Sequence, residues 1–207
     1  PLMHRFFDPK AYQIVCFDQR GCGRSQPSGS LRSNTTDLLL DDLDQITTRY
    51  NLLRYALFGG SWGATLALLY AARHPDRCLG VVLRGVFLNT DSNLEWMYGR
   101  GASEVYPAAW ADFLAPLGYS TGSSHELLKA YHHLLHADDE FTRLQAARAW
   151  NLWEYRLSVS DSQAKKISRF SPHAELVHAQ VEHHYISQDC FLDPTTFRDS
   201  NSEIASL

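Results

Sequence analysis

The sequence predicts an α/β fold: a partial parallel sheet flanked by helices, followed by an inserted helical segment. Three observations carry this expectation. Short apolar runs at residues 12–17, 55–58 and 79–83 read as buried strands. Helical spacing lies between them, in the stripe Leu38, Leu39, Leu43 and Ile46 behind the hydroxyl and amide caps of Asn34-Thr35-Thr36. It returns over residues 65–73, which His74-Pro75 closes. Alternating strands and helices imply βαβ units and hence a parallel sheet covered on both faces. After Phe87 the β-branched runs cease and aromatic-rich helical spacing takes over to about Asp189, best at residues 126–135, 140–153 and 172–185. Pro172 suits the first turn of the last of these. Residues 118–124 read as a polar loop, and those from 193 to 207 are too polar to assign. The expected organisation is a core at 1–87, a helical cap at 88–190, and an incomplete return to the core at 191–207.

Bulk properties narrow the partners. With 207 residues, 44% hydrophobic and 20% charged, the chain can bury a real core. A net charge of -4 provides no basic field for nucleic acid or an anionic membrane surface. No apolar run reaches 18 residues, so a peptide or small amide partner fits better than a membrane. Cys16, Cys22, Cys78 and Cys190 form no CxxC pair and read as reduced, buried thiols, which suggests the cytoplasm. The opening Pro1-Leu2-Met3-His4-Arg5 has neither an initiator Met nor the plan of a signal peptide, so the start reads as cut.

Gly59-Gly60-Ser61-Trp62-Gly63 matches G-x-S-x-G, and it falls where its mechanism requires, between an expected strand and an expected helix. Glycines two residues either side of Ser61 would let strand and helix approach without Cβ clashes, leaving the hydroxyl exposed above the sheet. The following helix would aim N–H groups and the positive end of its dipole at an oxyanion, with the Trp62 amide as one donor. The bland alternative is a glycine-rich turn that only packs well.

Five segments together resemble the proline iminopeptidases: Phe6-Phe7-Asp8-Pro9, Asp18-Gln19-Arg20-Gly21-Cys22-Gly23-Arg24-Ser25, Asn34-Thr35-Thr36, the serine motif, and Leu83-Arg84-Gly85. Gly101-Ala102-Ser103, Ala147-Arg148-Ala149-Trp150, Trp153-Glu154 and Glu182-His183-His184-Tyr185 extend the likeness through the cap. The resemblance implies an α/β-hydrolase fold and a serine aminopeptidase that releases N-terminal proline, without metal or cofactor. It implies Ser61 as nucleophile and Trp62 N–H as oxyanion donor. Glu154 and Glu182 would grip the protonated amine, Phe87 and Trp96 would line the proline pocket, and Arg84 would stand near the site. A buried cation needs carboxylates to offset its desolvation, which agrees with two glutamates among aromatics. Each glutamate could instead be a solvated helix carboxylate, Glu182 pairing with His178 four residues earlier. Arg84 could equally serve a structural ion pair, and Asp18-Gln19-Arg20 reads as a scaffold loop.

The chain departs from the family at Met97 and Asp37, where an aromatic is usual. It also contains no His-Gly-Gly-Pro-Gly, Gly-Arg-Tyr-Asp or Gly-His-Ser segment. The triad order in this fold is Ser, acid, His, so the base is expected after the cap. No histidine meets that condition, and Asp193 and Asp199 are the only late candidates for the acid, neither following a strand pattern. The chain alone is therefore expected to be truncated and inactive. His132 and His136 have metal-ligand spacing but no acidic partner and read as solvated or packed residues. An esterase or amidase with another cap, or a non-catalytic amine-binding module, are the other functional readings.

Overall fold

A computed structural model describes residues 5–118, 122–159 and 171–193; Asp199 and all but the first three residues of the 191–207 segment lie outside them. Its elements in chain order are α1 (Thr36–Arg49), β1 (Tyr55–Gly60), α2 (Trp62–Arg73), β2 (Cys78–Arg84), α3 (Asp91–Tyr98), α4 (Ala102–Val105), α5 (Pro107–Leu114), α6 (Ser124–Leu135), α7 (Glu140–Ser158) and α8 (Pro172–Ile186). β1 and β2 pair in parallel, with Leu57 opposite Val81 and Gly60 opposite Arg84. The helix between them, α2, is buried along most of its length because it presents Leu66, Leu69 and Tyr70 to α1 and to the sheet.

Among the described residues two strands form, not three. Residues 12–17 make no ladder, and Tyr12, Cys16 and Phe17 are exposed. An apolar run becomes a strand only against a partner's backbone groups, and among the described residues no strand lies beside this one. The N-terminal segment instead packs by its rings: Phe6 stacks on Phe58 at 5.4 Å and Phe7 meets the same ring edge-on at 5.3 Å. The sheet is not covered on both faces either, since Leu79 and Val82 stay exposed. Nor are the four thiols all buried: Cys16, in the run without a ladder, is exposed, and only Cys190 is buried.

Buried apolar residues fall into two clusters. One gathers Leu39, Leu40, Tyr55, Leu66, Leu69 and Tyr70 around the sheet. The other is aromatic and belongs to α3–α8, with Trp150, Trp153, Tyr98, Phe113 and Tyr131 fully buried and mutually stacked. Helix α8 serves both, because its Val181 and Tyr185 face the first cluster while Ala179 and Ile186 face the second.

The Asn34-Thr35-Thr36 segment does not act as the expected cap. Thr35 stands at the N-cap position without a capping side-chain bond. Asn34 is buried and binds three partners: its Nδ2 donates to the carbonyls of Arg20 at 3.1 Å and Ser30 at 3.0 Å, and its Oδ1 accepts the Tyr185 hydroxyl at 2.6 Å. Thr36 donates its hydroxyl to the Cys190 carbonyl. These residues tie the first loop, α1 and α8 together, since buried carbonyls far apart in sequence must find donors. Asp18 and Arg20 are scaffold, as their pattern suggested: Arg20 forks onto Asp42 of α1 at 2.6 and 2.9 Å, and Asp18 accepts from the Arg24 backbone and side chain.

Two predictions follow from this framework. Asn34→Ala strands the Tyr185 hydroxyl and two carbonyls, and urea denaturation should show a loss of about 3 kcal/mol; a loss below the error of the method would deny the tie its role. The two motif glycines should also behave differently. A Cβ at Gly59 would lie 2.0 Å from the Gly63 carbonyl oxygen, whereas a Cβ at Gly63 meets nothing within 4 Å. Gly59→Ala should cost more than about 3 kcal/mol or yield no soluble protein, while Gly63→Ala should be neutral or stabilise by up to about 1 kcal/mol through helix propensity. Equal effects of the two changes would refute the assignment of close approach to Gly59 alone.

Candidate active site

Ser61 links the end of β1 to the first turn of α2. Its backbone adopts φ 53° and ψ −122°, a conformation that costs a non-glycine residue about 1–3 kcal/mol. Two interactions hold it there: the Ser61 N–H donates to the Arg84 carbonyl at the end of β2, 2.9 Å away, and its carbonyl accepts from Ala64 N at 2.9 Å. The side chain is exposed, as expected of a nucleophile on an elbow. Trp62 opens α2, where a helix leaves its first N–H groups without intrahelical partners, so this amide is free to bind an anion above Ser61. Close approach is needed on one side only, at Gly59, and not at Gly63.

Ser61 and Trp62 open onto a cavity of about 260 Å³ that also exposes Phe87, Met97, Glu154 and Glu182. Five of the seven residues singled out in the sequence therefore meet in one space. The other two, Trp96 and Arg84, line an adjoining cavity that shares Ser61, Phe87, Met97 and Glu154 with the first. Trp96 is half exposed and closes no part of the first cavity. Arg84 forms no ion pair among the described residues, so the structural pair considered for it is not seen there; its carbonyl, not its guanidinium, holds the elbow.

Glu154 on α7 and Glu182 on α8 are not solvated helix carboxylates. Glu154 accepts the Tyr98 hydroxyl, and Glu182 accepts the Trp150 indole N–H at 2.7 Å. Burial pushes both carboxyl groups well above the ordinary glutamate range, and for Glu154 the neighbouring Glu182 charge adds to the rise. The helix pair with His178 is weak: its Nδ1 stands 3.9 Å from Glu182 but only 2.7 Å from Asn151 Oδ1, and the side chain is mostly exposed. The site thus holds two acids whose ionised forms are disfavoured, and among the described residues no lysine or arginine pairs with either, a demand that a cationic ligand would meet.

Sequence reasoning passed over Tyr98, Gln19, Cys22 and Cys190, the last three of which also line the cavity. The position of Trp150 carried a usable signal, since four residues before Glu154 places it on the same helical face. Nothing in the local pattern marks Tyr98, which arrives from another helix. The late acid Asp193 does not line either cavity. His132 and His136 stack on each other at 4.5 Å, and among the described residues no group of three or more His, Cys, Asp or Glu is arranged to hold a metal. No described side chain hydrogen-bonds the Ser61 hydroxyl.

The acidic pair has a thermodynamic consequence. An acid with a raised pKa in the folded chain binds more protons there than when unfolded, so stability falls as pH rises from the ordinary value of 4.5 upward through the raised values. Glu154→Gln removes one ionising member. It should match the parent near pH 4.5 and exceed it by about 1 kcal/mol or more at pH 8, measured by urea denaturation. A variant less stable than the parent at pH 8 would contradict the raised pair.

Comparison with known proteins agrees with this geometry. A proline iminopeptidase from Xylella fastidiosa is 43% identical over 192 residues, which is 92% of this chain and 61% of that protein. One from Arabidopsis thaliana is 42% identical, covering 89% of this chain and 49% of its own. One from Neisseria meningitidis is 39% identical over 187 residues, 89% of this chain and 58% of its own. The chain therefore spans about half to three fifths of the length of these curated relatives. The family model described as alpha/beta hydrolase fold matches residues 3–197, nearly the whole sequence. The strand–elbow–helix unit and the match along the chain have one meaning: the chain belongs to the alpha/beta hydrolase fold family.

Proposed function

We propose that this protein acts as a serine aminopeptidase that releases proline from the N-terminus of peptides. The observation that carries the reading is the shared cavity, lined by a strained, exposed serine together with two half-buried carboxylates. The names of the relatives from Xylella, Arabidopsis and Neisseria support the same assignment. Glu154 and Glu182 bind the protonated secondary amine of the terminal proline. Its ring lies against Phe87 and Met97, with Trp96 and Arg84 at the rim towards the adjoining cavity. This places the proline carbonyl over Ser61.

The chemistry is acyl transfer. Ser61 Oγ forms a bond to the carbonyl carbon as its proton passes to a general base, and the Trp62 N–H stabilises the oxyanion that develops. Collapse of this intermediate breaks the peptide C–N bond, and the departing amine takes the proton. Water then hydrolyses the prolyl ester and frees Ser61. The reading requires a base beyond the side chains described around Ser61. It divides the chain into a core at 1–87 and a cap at 88–190, for which the two separate buried clusters are the support. The four unpaired thiols fit a reducing, cytoplasmic setting.

Hydrolysis of proline β-naphthylamide by the full-length gene product tests the assignment. Ser61→Ala should reduce turnover by at least about 10⁴-fold, and equal rates for variant and parent would end it. Cleavage of p-nitrophenyl esters without prolyl amides would point instead to an esterase. Binding of prolinamide without turnover would leave an amine-binding module.

A further inference from the structure

We propose that Tyr98 and Trp150 are positioning residues that set the spacing and aim of the two carboxylates. The Tyr98 hydroxyl fixes one oxygen of Glu154, the Trp150 N–H fixes one oxygen of Glu182, and the stacked rings lock both donors together. The proposal rests on the reading that these carboxylates hold the substrate amine. Two acids of like charge need something that keeps them convergent on one cavity.

The geometry supplies the answer. Tyr98 on α3 and Trp150 on α7 are both fully buried, and their rings stack at 5.2 Å with 23° between planes. Trp150 reaches across to Glu182 on α8, and Tyr98 reaches across to Glu154 on α7. Three helices are thus joined through two rings and two acids. Among the described residues neither glutamate side chain accepts another hydrogen bond, which leaves one oxygen of each for a ligand. Both donors are uncharged. A lysine or arginine in their place would neutralise the acids and remove the demand for a cationic ligand, whereas a phenol and an indole orient them and leave the charge in place. Burial and the two neighbouring carboxylates push the Tyr98 phenol well up, so it remains a donor across the working range. The other charged or titratable groups that line these cavities with the pair are Arg84 on β2, Cys22 in the first loop, His178 and Tyr185 on α8, and Cys190 in the turn after α8.

Calorimetric titration of the whole protein with prolinamide tests this, on a Ser61→Ala background that prevents turnover. Tyr98→Phe keeps the ring and its stacking and removes only the donor. It should weaken binding about tenfold. It should also move the acid limb of the affinity–pH profile to higher pH, because the lost hydrogen bond favoured ionised Glu154. A purely structural role would lower the melting temperature without moving that limb. If Glu154→Gln and Glu182→Gln abolish binding while Tyr98→Phe keeps parental affinity and profile, the positioning role fails and the amine reading stands. If the glutamine variants bind as the parent does, the amine reading fails and the positioning role with it. Should Tyr98→Phe not fold, Trp150→Phe removes the other donor and is judged by the same two measurements.

Discussion

Two half-buried carboxylates that line one cavity are the constraint around which this molecule is arranged. Glu154 and Glu182 repel each other, and burial deprives each of hydration that an ionised acid ordinarily needs. Left to themselves, the helices carrying them would rotate or separate until the acids reached solvent. They do not, because Trp150 and Trp153 on α7 pack against Phe113 and Tyr131 in a nearly water-free aromatic cluster, and rotating α7 would expose those rings. Truncating one such ring costs about 3–5 kcal/mol, which is more than a partly relieved carboxylate would regain. The aromatic richness of the cap therefore has a mechanical purpose beyond filling volume.

Helix α8 connects this acidic site to the serine. One of its faces carries Glu182 and sits among the cap aromatics, while Val181 and Tyr185 on another face join the cluster around the sheet. Tyr185 lies against Trp62 with ring centroids 5.1 Å apart, and its hydroxyl ends on Asn34. His184 approaches the Asn34 carbonyl at 2.9 Å and Thr36 reaches the turn after α8. The residue following the serine is thus in contact with the helix that bears an acid, so the distance from nucleophile to carboxylate is set by packed side chains and not by a loop.

How much of this could be read from the sequence depends on how local each signal is. The three cap helices with the best spacing, α6, α7 and α8, form within a few residues of where their apolar periodicity places them, because helical hydrogen bonds close within the element itself. The elbow was equally legible, since a glycine before the serine and a helix after it are neighbours in the chain. The run at 12–17 misled because an apolar, β-branched composition states only what a strand would contain. Whether a ladder forms depends on a partner that the segment cannot specify. Asn34 looked like a cap because its neighbours were hydroxyl residues, yet its partners, Arg20, Ser30 and Tyr185, lie 14, 4 and 151 positions away. Tyr98 was illegible for the same reason. Glu154 and Glu182 were named from likeness to a family, and composition alone would have left them on the surface.

The separation of roles between the two clusters carries a final physical argument. Ser61 is held in a strained conformation by backbone bonds to β2 and to its own helix, and the sheet cluster bears that strain. The carboxylates are held in an unfavourable electrostatic state, and the aromatic cluster bears that cost. Each penalty thus falls on a different set of packed residues, which meet only along α8, Phe87 and the cavity between them. A cationic ligand relieves the second penalty without touching the first. A neutral ligand of the same shape would find the same apolar walls and leave the charge uncompensated. Preference for a cationic over a neutral ligand of the same shape is therefore a property of the acids and the walls around them.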